Sequence, residues 1–366
     1  MFLYVLKRQT RIVTKVGIIE KFQSCIWNPM YYGQGAFEMT VPATPEYVDL
    51  LQIYRLLVRD EDESLEDDRV TYRNVMVINH LNYSTDDDGG KIIKVSGVSL
   101  KSYILGSRVI NGYFWLSGNA EEEIYEVAKE QLGNGDAVWY RQWPGFTTAP
   151  LKGLTGQTDI QLFGENLAEW MEETCKEHHY GWDLYIHGRD FVFELYKGTD
   201  RTESQSDVLP VIFSKENDNL ISSELDIDYT YHATNAMVVS SAEDSITGYR
   251  IFVTTPFPLE TPEIRDDRFE IFIDSSIADN EAGSSLYTAL NAEGLQEIAQ
   301  RKLVSFTAEI VPDGIYKINR DYFMGDVVEV ITEYGIRAKA RIIDIIYSTD
   351  ENGTSTVPTF SDWEVM

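Results

Sequence analysis

A chain of 366 residues is long enough for two to three domains with cores of their own. Its 43% apolar and 12% aromatic content excludes a disordered chain, and two distant cysteines, Cys25 and Cys175, exclude a disulfide framework and a thiolate metal cluster. With 31 Lys and Arg against 60 Asp and Glu, the formal charge of −29 opposes binding to nucleic-acid backbones and anionic membranes over most of the surface.

The start, MFLYVLKRQTR, sets its apolar residues before its positive charges, the reverse of a signal peptide. No apolar run reaches the roughly 18 residues of a membrane span, so neither that export route nor a membrane-spanning segment is expected. The two cysteines fit buried thiols in a reducing cytoplasm, or in a particle assembled there.

Residues 1 to 100 read as strands, because short β-branched and aromatic runs alternate with turn chemistry. The runs are FLYVL, RIVTKVGII, FEMTV, YRLLV, NVMVINHLNY and KIIKVSGVSL. Asp86, Asp87, Asp88, Gly89 and Gly90 predict a hairpin loop between the last two. Seven acids between Asp60 and Asp68 predict a solvated hairpin tip; they lack the glycine and spacing of a calcium loop. PEYVDLL predicts a short helix with Thr44 as N-cap and Pro45 at its first position.

Residues 101–208 form a small α/β domain in this reading. NAEEEIYEVAKEQL and GENLAEWMEETCKEHHYG have helical spacing, and GWDLYIHGRDFVFELYKG is a hairpin turning at Gly188. Residues 209–366 return to strand character, with an inserted segment at about 243–303 that holds the helix TALNAEGLQEIAQRKLVS. The fold class is therefore α+β, mostly β.

Motifs for chemistry are scarce. GxxxxGK[ST], GxGxxG and GxSxG are all absent, so phosphate-cradling loops and a nucleophile elbow are not expected. Cys175, His178, His179 and His187 offer metal-ligand residue types, but adjacent histidines diverge on a helix, and their place in its last turn suits the helix dipole instead. No catalytic, cofactor or metal residue is assigned. Trp139, Tyr140 and Trp143 are candidates for a glycan-stacking platform or a subunit contact. Phe257, Pro258 and Leu259, inside TTPFPLETPEI, are candidates for a partner-contact or channel loop.

The order of segments resembles the baseplate-hub or tail-tip proteins of tailed bacteriophages, the siphophage family that includes the N-terminal part of tail-associated lysins. The likeness is carried by the opening FLYVLKRQTRIVTKVGIIEKFQSCIWNPMYYGQGAFEMTVPAT, by Gly97, Leu100, Leu105 and Arg108 in GVSLKSYILGSRVI, by NAMVVSSAED, and by Gly325 and Asp326 in FMGDVVEVITEYGIRAKARIIDIIYS. The resemblance implies two β-barrel-like domains with small α/β domains between them. It also implies a homotrimer that caps the tail tube at the virion tail tip, made in the host cytoplasm. Implied partners are the distal tail protein, the tail tube, the tape-measure protein and tail fibres or receptor-binding proteins, with DNA passing through unbound. A cell-wall-glycan-binding or degrading tail component is the alternative.

Overall fold

Turn chemistry and alternating burial account for most elements of the computed structural model, which describes residues 1–85, 89–133, 137–243, 247–256, 268–275, 277, 286–301, 303–311, 314–351 and 353–365. The first hundred residues give β1 (Leu3–Gln9), β2 (Ile12–Ile19), β3 (Ser24–Asn28), β4 (Ala36–Pro42), α1 (Pro45–Leu50), β5 (Leu56–Arg59), β6 (Glu63–Glu66), β7 (Arg69–Tyr72), β8 (Met76–Thr85) and β9 (Lys91–Ser99). Thr44 caps α1 as expected, its Oγ1 accepting from the Tyr47 amide at 3.2 Å. The β8–β9 hairpin closes with Thr85 opposite Lys91; Asp86 to Asp88 lie outside the described residues.

Next come α2 (Leu100–Leu105), β10 (Phe114–Asn119), α3 (Ala120–Leu132), β11 (Phe146–Thr148), β12 (Gln157–Leu162), α4 (Leu167–His178), β13 (Gly181–His187) and β14 (Asp190–Tyr196). Both predicted helices are present and capped, by Asn119 on α3 and Asn166 on α4. The predicted hairpin turns at Gly188, whose φ is +62°. The strand run ending in VSGVSL stops earlier than its sequence predicts. Ser99, still paired with Met76, ends β9 and caps α2, its hydroxyl accepting from the Ser102 amide.

The last part contains β15 (Ile212–Ser214), β16 (Leu220–Asp228), β17 (Asn235–Glu243), β18 (Arg250–Thr255), β19 (Glu270–Asp274), α5 (Leu286–Gln300), β20 (Leu303–Ile310), β21 (Val327–Ile331), β22 (Arg337–Asp350) and β23 (Gly353–Val365). The predicted helix ends at Gln300, and its LVS tail is the start of β20 instead.

The chain divides into two compact units, residues Met1–Ser223 with Ala308–Met366, and residues Glu224–Thr307. In the first, strands from both ends of the chain share an eleven-stranded sheet of order β15-β21-β22-β3-β4-β9-β8-β5-β1-β2, with β23 added on β22. This path is open, so the described residues form no closed barrel. A five-stranded sheet, β11-β14-β13-β7-β6, shares a core with α2, α3 and α4 through Ile104, Ile124, Met171, Trp182, Phe191 and Phe193. In the second unit, β18-β17-β19 buries Ala236, Val238 and Val253 with Leu290 of α5. Gly294 allows that approach, because a Cβ there would lie 2.5 Å from the Thr255 hydroxyl. Among the described residues no helix is long and apolar enough to cross a membrane.

Candidate functional site

A buried polar centre is built where α2, the β13 strand and the C-terminal strands converge. Lys101, in the first turn of α2, is 4% exposed; its Nζ donates to the Met30 carbonyl at 2.8 Å and the Trp182 carbonyl at 2.9 Å, and lies 4.3 Å from the Trp182 ring centre. Burial pushes this ammonium down to about 8, and pushes the Asp344 carboxyl up to about 6. Asp183 is raised by the same cause, opposed by the charges of Lys101 and Arg73.

A void of about 70 Å³ lies against Lys101, Asp183 and Tyr196, and a cleft of about 430 Å³ shares Asp183 and Tyr196 with it. Neither is lined by histidine or cysteine. The cleft's acids are engaged: Glu194 holds Arg73 at 3.1 Å and Lys152 at 2.7 Å, and Asp326 holds Arg201 at 2.5 Å. This arrangement ties segments together through satisfied polar groups, and presents no nucleophile beside a base.

Of the motif residues quoted from the sequence, Gly325 and Asp326 serve the same joint. Gly325, at φ +89°, packs so closely on Tyr31 that a Cβ would lie 2.2 Å from the ring. Asp326 accepts from the amides of Thr199 and Phe323 at 2.7 and 2.9 Å. The Tyr31 hydroxyl accepts from the Gly198 amide at 3.3 Å and donates to the His179 carbonyl at 3.1 Å. A Cβ on Gly97 would meet the Val77 carbonyl at 1.9 Å, while Leu100 and Leu105 are core. The Arg108 backbone carbonyl accepts from the Leu167 amide at 2.9 Å.

The histidine and cysteine types do not converge. Cys175 is fully buried and its thiol is pushed up to about 12 by burial. His179 caps α4 in the left-handed conformation and shares a 3.1 Å hydrogen bond with the Tyr32 hydroxyl, whereas His187 meets Thr71 at 2.8 Å. Among the described residues no group of three His, Cys, Asp or Glu is placed to hold a metal ion. The acidic run is a hairpin tip only at its far end, where Asp67 and Asp68 take φ +47° and +59° between β6 and β7. At its near end Glu61 is exposed but Asp62 is not. Asp62 is drawn in by Arg59, itself 1% exposed, at 2.6 and 2.9 Å.

The predicted aromatic cluster is divided. Trp139 is 81% and Tyr140 64% exposed, ring edge to face at 5.5 Å. Trp143 is half-buried, with the Arg8 guanidinium 3.9 Å from its ring centre and Phe191 at 5.9 Å. A second exposed aromatic surface, which sequence reading missed, lies on the outer face of the β18-β17-β19 sheet, where Met237 pairs with Phe272 and Phe252 stands opposite Val239. Strand alternation carries its signal, since Ala236 and Val238 face α5. Phe257, Pro258 and Leu259 lie outside the described residues.

The described residues thus combine buried polar joints with exposed aromatic faces. Residues 10–360 match the siphovirus ReqiPepy6 Gp37-like protein family. The chain belongs to that family. Solved structures similar to this family member include phage tail proteins. The prophage MuSo2 43 kDa tail protein from Shewanella oneidensis is 14% identical, with a TM-score of 0.56 over 99% of this chain and 98% of that one. The tail protein from Neisseria meningitidis MC58 is 13% identical, with a TM-score of 0.53 over 98% and 97%. The prophage tail protein gp18 from Listeria monocytogenes EGD-e is 12% identical, with a TM-score of 0.51 over 99% and 95%. At these identities the likeness is one of fold, and the fold is phage tail-protein-like and mostly β. No curated protein matches the chain in sequence.

Proposed function

We propose that this chain is a structural subunit of a siphophage tail tip, acting as a baseplate hub rather than an enzyme. The observation that carries the reading is the end-to-end likeness to tail proteins, which covers 95% or more of each chain, in a member of a siphovirus family. Three copies form a ring that caps the tail tube in the virion. Residues 1–100 and 209–366 act as two barrel-like halves flanking the α/β segment 101–208. Two similar halves in three copies present six similar surfaces to a hexameric tube and to the distal tail protein. The ring holds the end of the tape-measure protein, receives tail fibres or receptor-binding proteins, and opens for DNA after receptor contact. A chain charge of −29 suits a lumen that repels rather than binds a passing duplex.

Gold labelling of a tag on this chain in intact particles is expected at the tail tip; label on the capsid or along the tail shaft contradicts the reading. Deleting residues 257–259 is expected to slow DNA ejection, and unchanged ejection removes that loop from the gate. The exposure of Trp139 and Tyr140 favours a second role in cell-wall glycan contact. Retention on purified peptidoglycan that is lost in Trp139→Ala supports it, and absence of retention by the unmodified protein contradicts it.

A further inference from the structure

The N-terminal hairpin reverses the charge of the rest of the chain. Residues 1–19 hold Lys7, Arg8, Arg11 and Lys15, four of the 31 cations and none of the 60 acids. Folding adds to this. A groove of about 560 Å³ beside the start of β2 is lined by Arg11, by Arg69 of β7 and by Arg189 in the turn between β13 and β14. Asp190 is the acid in its lining, held by Arg11 at 2.7 Å and by Arg69 at 3.5 Å. Arg189 is exposed and has no acidic partner among the described residues. Arg8 spends its charge on the Trp143 and Phe191 rings, at 3.9 and 5.1 Å. Three guanidinium groups thus line the groove beside one carboxylate.

The same hairpin has an unused backbone edge. β2 is the last strand of the eleven-stranded sheet and pairs only with β1 among the described residues. Ile12 and Val16 on it are 51% and 39% exposed. A free strand edge supplies hydrogen bonds of any sequence, while planar guanidinium forks select carboxylates. A partner that suits both is acid-rich.

We propose that this groove and edge receive the acidic surface of a second copy of the chain, head to tail, so that each subunit presents cations at one contact and acids at the next. The two surfaces are complementary in charge: a copy with a net charge of −29 supplies the acids, and the hairpin is the cationic exception that receives them. A heterologous contact of this kind closes into a ring when its rotation does. The inference rests on the trimeric reading above and names the surface that would hold the trimer together.

The test is light scattering of the full chain across concentration and salt, beside Arg11→Glu/Arg69→Glu/Arg189→Glu. The expected result is a trimer for the unmodified protein that weakens from 0.1 to 1 M salt, and a monomer with unchanged circular dichroism for the triple variant. Arg189→Glu alone removes no internal ion pair and so guards against misfolding. It is expected to raise the dissociation midpoint at least tenfold. An unmodified trimer matched by trimeric variants with unmoved midpoints overturns the inference and leaves the trimeric reading standing. A monomer at every concentration overturns both.

Discussion

At Gly325 the backbone takes φ +89° and the place of a Cβ lies 2.2 Å from the Tyr31 ring, whereas Gly335, at φ +77°, has nothing within 4 Å. The two positions separate backbone strain from crowding. Gly335→Ala is expected to cost about 1 kcal/mol, and Gly325→Ala at least about twice that, because the ring must also move. Denaturant midpoints of the two variants check the ratio, and equal losses contradict the role given to Tyr31. Lys101 gives a prediction in pH. Its folded value of about 8 lies below its ordinary 10.5, so between these pH values the unfolded chain binds more protons and stability rises with pH, by roughly 3 kcal/mol. Below pH 8 the contribution is flat. Stability measured from pH 7.5 to 10.5 is expected to climb in the unmodified protein relative to Lys101→Met, and parallel curves contradict the buried charge. Gly325 was legible in the sequence as part of a motif. Tyr31, the reason for it, was not, because the contact spans nearly 300 residues of chain.

The helices α3 and α4 were legible because apolar residues recur at helical spacing in each, with Gly133 closing α3; the structure adds Asn119 and Asn166 as their caps. α2 was not, since Leu100 to Leu105 continue the apolar run of β9 and only the Ser99 cap marks the change. Strand β6 was hidden by its charge. A run of acids reads as solvated until a buried cation is known to face it, and Arg59, stacked 3.5 Å from the Tyr347 ring centre, comes from the strand before. Asp62→Asn is therefore expected to destabilise the protein by about 3 kcal/mol, as Arg59 keeps its place without its carboxylate. Asp67→Asn, at the exposed turn, is expected to stay within about 0.5 kcal/mol. Equal losses in urea unfolding contradict the buried pair. Of the candidate aromatics, sequence grouped Trp139, Tyr140 and Trp143 together. Only the packing of Arg8 and Phe191 on Trp143 separates the exposed pair from the half-buried ring. Trp139→Ala should leave the melting temperature nearly unchanged, whereas Trp143→Ala should lower it through lost packing with Arg8 and Phe191.

For the whole molecule, segment order and strand-rich composition were enough to indicate a tail-protein resemblance, and the family match and the fold agree with it. The meeting of both chain ends in one sheet through β22 and β3 was beyond sequence reading, because edge pairing over such a separation leaves no local pattern. Both the ring and the symmetry argument depend on three copies joining. The measurement that tests this most directly is the mass of the purified, unmodified chain by light scattering over a range of concentrations at moderate salt. A chain of 41.9 kDa is expected to give a particle of about 126 kDa. A mass of 41.9 kDa held to the highest concentration contradicts the self-assembling ring.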